Sequence, residues 1–99
     1  MNKNLVIPKE KIADFCRRHH IRRLAIFGSA LRANWGPESD VDVLVEFKAG
    51  QEPGFIALAR MERELSKIFG RRVDLRTPED LSRLFRDEVI SSAEVQYAQ

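Results

Sequence analysis

The eight residues from Asp40 to Phe47 (DVDVLVEF) constrain the fold more than any other segment. Successive side chains on a β-strand point to opposite faces, and valine favours strands. The three alternating valines would therefore pack against a core, while Asp40 and Asp42 would share the opposite face with Leu44. This segment predicts a strand that places two carboxylates on one face at its start.

The residues before Asp40 predict a helix, a strand and a second, short helix. Pro8 suits the start of a helix, and apolar residues then recur at helical spacing as far as His19. The apolar run Arg23 to Phe27 predicts a buried strand, which Gly28-Ser29 ends. A short helix and then a Gly-Pro loop are expected between Ser29 and Asp40.

The residues after Phe47 predict a helix, a strand and a last helical region. The first helix ends at Gly70, and its apolar stripe consists of Phe55, Leu58, Met61, Leu65 and Ile68. The alternating segment Arg72 to Arg76 predicts a third strand. Thr77-Pro78-Glu79-Asp80 has the composition of a helix start, and the apolar residues expected to continue that helix to about Ala93 are Leu81, Leu84, Phe85 and Val89. The tail from Glu94 fits no single pattern.

A chain of 99 residues is expected to form one domain, residues 1–99, with one core. Helices that alternate with strands must pack on a sheet, so we expect an α/β or α+β fold, a small mixed β-sheet flanked by helices. No apolar run has the length of a membrane span, and no secretory signal is expected. The single cysteine, Cys16, excludes an intrachain disulfide, so we expect a cytoplasmic protein without a membrane partner.

Basic residues are concentrated in the first third of the chain. Residues 1–35 contain eight Lys or Arg and two acids, whereas the remaining residues contain nine and thirteen. A basic segment can contact a phosphate-rich or acidic partner, and it equally fits a solvated helix face. Because the chain has neither zinc-finger spacing nor an aromatic-rich basic strand, nucleic-acid binding is not expected.

Asp40 and Asp42 are the first candidates for chemistry. Like charges on one face of a strand repel each other unless a cation lies between them. Carboxylate oxygens suit Mg²⁺ or Mn²⁺ rather than zinc. The alternative is an edge strand with one solvated face, but the apolar Leu44 on the same face favours metal binding.

Gly28 and Ser29 are the second candidates, at the junction of a predicted strand and helix. Glycine permits a tight turn and the close approach of a ligand. The N-terminus of the following helix would offer free N–H groups, which suit a phosphate. The alternative is that Ser29 only caps the helix.

Asp74 is the third candidate, on the opposite face of its strand from Val73 and Leu75. If this strand lies beside Asp40 to Phe47, its carboxylate joins the other two and makes a triad. The alternative is an ordinary surface aspartate paired with Arg72 or Arg76.

The segment from Phe27 to Phe47 (FGSALRANWGPESDVDVLVEF) resembles the Gly-Ser…Asp-x-Asp signature of the DNA-polymerase-β-like nucleotidyltransferase superfamily. More narrowly, it is similar to the minimal nucleotidyltransferase (MNT) domains, small antitoxins that are commonly paired with HEPN-domain toxins. The resemblance implies a polymerase-β-like nucleotidyltransferase core.

The resemblance also implies a role for each matching residue. The implied nucleotide-binding residues are Gly28, Ser29, Arg32 and Ser39. The implied catalytic residues, which would bind two Mg²⁺ (or Mn²⁺) ions, are the carboxylates of Asp40, Asp42 and Asp74. One departure is Ala33, where many members of the superfamily have glycine.

The reaction implied by the resemblance is transfer of AMP from ATP to a protein acceptor, a tyrosine of a cognate HEPN toxin, which would neutralise that toxin. The predicted sheet and its helices use nearly all residues, so the acceptor would come from another macromolecule, in a homo- or hetero-oligomer. The main alternative is a non-catalytic antitoxin that neutralises its partner by forming a complex. Three acids predicted to converge favour the enzyme.

Overall fold

The computed structural model describes residues 5–28, 36 and 39–99, and the short helix expected after Gly28 lies outside these ranges. The helices of the described residues are α1 (Lys9–Arg18), α2 (Phe55–Phe69) and α3 (Arg86–Ser92). The strands are β1 (Ile21–Phe27), β2 (Val41–Phe47), β3 (Val73–Arg76) and β4 (Glu94–Ala98). A turn of 3₁₀ helix, Pro78–Asp80, follows β3.

The four strands form one sheet in the order β3-β2-β1-β4. β1 is antiparallel to both β2 and β4, whereas β3 is parallel to β2. A parallel pair needs a crossover connection, and α2 provides it between β2 and β3. The predicted mixed sheet with flanking helices is therefore confirmed.

The core lies between one face of the sheet and the helices α1 and α2. The three alternating valines of β2 are fully buried there, as the pattern of that strand predicted. The helices contribute Ile12, Phe15, Cys16, Met61, Leu65 and Phe69. Burial also raises the pKa of the Cys16 thiol to about 12, because the thiolate would lose its hydration.

The side chain of Glu64 on α2 links that helix to the end of α1. It accepts a hydrogen bond from the Arg18 guanidinium, and its Oε1 lies 3.0 Å from His19 Nε2. The hydrogen bond from Arg18 is the main reason that the pKa of Glu64 lies below its ordinary value. These contacts hold α1 and α2 together at the surface, above the apolar core.

The expectation of one last helical region from Thr77 to Ala93 is confirmed only in part, because a 3₁₀ turn (Pro78–Asp80) and α3 (Arg86–Ser92) are separated by residues that belong to no helix. Asp80 Oδ2 accepts hydrogen bonds from Thr77 N and Oγ1, both 3.1 Å away, so the predicted helix start does form. Leu81 then adopts an extended conformation (φ −87°, ψ 143°), which ends the turn after three residues. Leu84 is consequently 87% exposed rather than part of a buried stripe.

The apolar stripe of α2 is also shorter than predicted. Met61, Leu65 and Phe69 are buried, but Phe55 at the start of the helix is 90% exposed. The tail that fitted no pattern forms β4, whose backbone pairs with β1. None of the helices in the described ranges has the length and apolar character that crossing a membrane requires.

Candidate active site

Gly28 directly follows β1 and lies against the carboxylate of Asp42. Its backbone is left-handed, with φ 71°, a conformation that glycine adopts at low cost. A Cβ atom at this position would lie 2.4 Å from Asp42 Oδ2, well inside van der Waals contact. Glycine is therefore needed here for two reasons: the turn, and the room that the Asp42 carboxylate occupies.

The pairing of β2 with β3 places Asp42 beside Asp74. The two residues are direct partners in the parallel register, so their side chains point to the same face of the sheet. Neighbouring strands lie about 4.8 Å apart, which brings the two carboxylates within reach of one cation. Asp40 lies one residue before the strand begins. The sequence alone left the position of β3 open, and the structure shows it next to β2.

Arg76 is bound to the carboxylate of Asp74. Its Nε lies 3.2 Å from Oδ1, and its Nη2 donates a hydrogen bond of 3.2 Å to Oδ2. The two residues are separated by one position on a strand, so they share a face. The sequence left an ion pair with an arginine as the alternative role of Asp74. That ion pair is present, and Asp42 also lies beside Asp74 in the sheet. One guanidinium compensates part of the negative charge at this site.

The turn before Asp40 is closed by Ser39. Its backbone N–H donates to the Gly36 carbonyl over 3.1 Å, and its Oγ accepts a hydrogen bond from Gly36 N over 3.3 Å. Arg71, which the sequence reasoning did not single out, donates to the same Gly36 carbonyl and ties the turn to the residues before β3. Ser39 thus shapes the approach to Asp40, and its contact with a nucleotide stays a prediction. Ser29, Arg32 and Ala33 lie outside the described residues.

Asp42 and Asp74 fit a divalent cation in donor chemistry and position. Both offer hard carboxylate oxygens, the ligands that Mg²⁺ prefers, on neighbouring strands. Within residues 5–28, 36 and 39–99, no set of three or more His, Cys, Asp or Glu side chains is grouped closely enough to hold a metal ion. The described site is a carboxylate pair with a guanidinium on one member, and Asp40 adjoins it along the chain.

The chain matches the nucleotidyltransferase domain family over residues 9–96 and belongs to it. The protein is therefore a nucleotidyltransferase, an enzyme whose substrate is a nucleotide.

Three relatives refine this assignment. The chain is 34% identical, over 86% of its length and 89% of the relative, to a candidate protein adenylyltransferase of Methanocaldococcus jannaschii. A solved structure of a candidate minimal nucleotidyltransferase superposes with a TM-score of 0.70, at 32% identity, over 86% of this chain and 85% of the other. The third relative is the solved complex of a tri-AMPylated HEPN toxin from Shewanella oneidensis with an MNT antitoxin. One chain of this complex superposes with a TM-score of 0.66 over 92% of the present chain and 70% of its own length. Its identity of 20% shows a shared fold.

Proposed function

We propose that this chain transfers AMP from ATP to a tyrosine of a cognate HEPN toxin in the cytoplasm and thereby acts as an antitoxin. The observation that carries the proposal is the pairing of Asp42 with Asp74 on the face of the sheet opposite the buried valines, with Gly28 leaving room for the Asp42 carboxylate. Support comes from the adenylyltransferase relative and from the fold shared with an MNT antitoxin in its toxin complex.

The residues of this chain would bind the nucleotide and hold the cations. Gly28, Ser29, Arg32 and Ser39 would bind and orient the nucleotide. Asp40, Asp42 and Asp74 would hold two Mg²⁺ ions, which when bound neutralise the triphosphate and polarise the reacting oxygens. In the transfer, the tyrosine oxygen bonds to the α-phosphorus, the bond to the bridging oxygen breaks and pyrophosphate leaves.

Asp74 would also receive the proton of the tyrosine hydroxyl, because a carboxylate beside the attacking oxygen can act as a general base. Arg76 binds both oxygens of this carboxylate in the structure. The guanidinium therefore uses part of the lone-pair capacity of Asp74, and its movement away would leave both oxygens open to a cation or a proton. Both side chains are about half-exposed, so this movement encounters little steric resistance.

The same ion pair is the observation that favours the second candidate, a non-catalytic antitoxin. If Arg76 stayed on Asp74 throughout and outcompeted the cation for this carboxylate, the site would hold its cations poorly and the chain would act only by forming a complex.

Stoichiometry distinguishes the two candidates. One part of the purified chain is incubated with twenty parts of the HEPN-domain protein encoded by the adjacent gene, with ATP and Mg²⁺. We expect all of the partner to be inactivated, to stay inactive after the chain is removed, and to gain mass in whole AMP units. Inhibition that follows one-to-one complex formation, needs no ATP and persists in Asp42→Asn would contradict catalysis.

A further inference from the structure

A cleft of about 480 Å³ lies where β2 and β3 end, at the opposite end of β2 from Asp42. Its apolar wall consists of Phe47, Pro53, Leu58 and Pro78, with the buried Val45 behind them. Glu46, which also lines it, is four residues along β2 from Asp42, a distance of roughly 13 Å at the rise of a strand. Phe47 and Leu58 pack against the core, whereas Asp42 lies on the opposite face of β2, so the cleft is separate from the carboxylate pair, and a partner that passes around the end of β2 can contact both.

The rim of this cleft carries a net negative charge. Glu46 is compensated by Arg22, whose Nη2 lies 2.8 Å from Oε1. Glu52 and Glu79 also line the cleft, and both are exposed. Neither takes part in an ion pair among the described residues. The cleft thus combines an apolar wall with two carboxylates that a cationic group could approach.

Phe55 extends the apolar surface beyond the cleft. It is the first residue of α2 and lies three positions before Leu58, so the two side chains are on the same side of the helix. Phe55 is 90% exposed, which leaves a large aromatic ring in water beside an apolar cleft. Exposed aromatic residues next to apolar clefts are typical of protein interfaces.

We propose that this cleft, with Phe55 at its edge, docks a segment of the protein acceptor that presents an arginine or lysine between apolar side chains. The stem of such a residue would lie along the apolar wall, and its charge would meet Glu52 and Glu79. The identity of the partner, the HEPN-domain acceptor, is taken from the proposed function. An interface of standard size buries about 800 Å² on each partner and is roughly 30 Å across, which is wide enough for a partner that passes around the end of β2 to reach both the cleft and Asp42.

The test measures binding between the chain and the HEPN-domain protein encoded by the adjacent gene, without ATP so that no transfer occurs. Phe55→Ser should raise Kd about tenfold, the size of effect expected for a well-buried aromatic anchor. Glu52→Lys with Glu79→Lys should slow association about tenfold in 50 mM salt, and the effect should largely disappear in 500 mM salt.

Two control variants make equivalent changes elsewhere. Val6→Ser removes an apolar side chain that is 77% exposed, and Glu88→Lys reverses an exposed charge on α3. Both should leave binding unchanged. The folded state of every variant is checked by circular dichroism.

Unchanged binding in the cleft variants, or no binding by the unsubstituted chain, would overturn the docking proposal. It would equally be overturned if the cleft variants altered self-association in sedimentation velocity and left the partner affinity intact, because the occupant would then be a second copy of this chain. Failure of the proposed function gives a different result, in which the partner binds and the cleft variants weaken binding, but ATP and Mg²⁺ yield no AMP-modified partner.

Discussion

Replacement of Gly28 by alanine tests whether the backbone at the end of β1 positions the Asp42 carboxylate. The new Cβ would lie 2.4 Å from Asp42 Oδ2 and 3.2 Å from its Cγ. The carboxylate must therefore move by about 1 Å to reach an ordinary contact distance. A misplacement of this size in a catalytic group costs about 10²-fold in rate.

Gly50→Ala is the matched control. Gly50 has nearly the same left-handed backbone, φ 77° against 71°, but a Cβ there would have no heavy atom within 4 Å. Alanine in this conformation costs about 1–2 kcal/mol. Both variants should therefore lose at least this free energy of unfolding, and any larger loss in Gly28→Ala measures the displacement of Asp42; each kcal/mol lowers the Tm by roughly 4–8 °C in a domain of this size.

The assay compares AMP transfer by the two variants at a temperature where both are folded, alongside thermal unfolding. We expect Gly50→Ala to retain wild-type transfer and Gly28→Ala to lose about 10²-fold. If Gly28→Ala transferred AMP within twofold of Gly50→Ala, the contact between Gly28 and Asp42 would have no role in positioning the carboxylate.

Three further changes test the site and the fold. Asp42→Asn should abolish transfer while the chain stays folded, because it removes a metal ligand, and activity at saturating Mg²⁺ would contradict the ligand assignment. Arg76→Gln should raise Mn²⁺ affinity, measured by electron paramagnetic resonance, by roughly two- to fivefold, the value of an exposed ion pair, and equal affinity would show that Arg76 does not compete with the cation. Glu64→Gln should lower the free energy of unfolding in urea at neutral pH. Since the pKa of Glu64 is lowered in the folded state mainly by its hydrogen bond from Arg18, its stabilising contribution is complete above its ordinary pKa of 4.5. That contribution disappears as the pH falls through the lower folded value, so the wild type and the variant should converge in acid.

The sequence predicted most accurately the elements whose periodicity is strong and whose ends carry a chemical signal. The valines of β2 are buried as expected, and α2 ends at Gly70, whose left-handed backbone (φ 67°) is the one that glycine allows at a helix end. The last helical region was predicted correctly only in part: Thr77 and Asp80 form a helix start, but that turn ends at Leu81, and a separate helix, α3, begins at Arg86. The local sequence determines where a helix starts, whereas its length depends on the surface that its apolar residues can pack against.

The pairing of the tail with β1 could not be predicted from the sequence either. β4 adds to the edge of β1, and Tyr97 packs against the core opposite Leu24. Strand pairing between segments about 70 residues apart depends on which edge the rest of the sheet leaves available. Pattern within the tail alone does not contain this information.

The sequence by itself determined which residue types could perform the chemistry: two aspartates on one face at the start of a strand, a third on another strand, and a Gly-Ser turn before them. These follow from the twofold period of a strand and from the conformational freedom of glycine, which are local properties. Only the tertiary structure decided that Asp74 lies beside Asp42, that Arg76 binds it, and that the Asp42 carboxylate fills the space a side chain at Gly28 would need. Those contacts join segments separated by many residues. They are set by the crossover through α2, which places β3 next to β2 because that arrangement buries the apolar faces of both strands under the same helix.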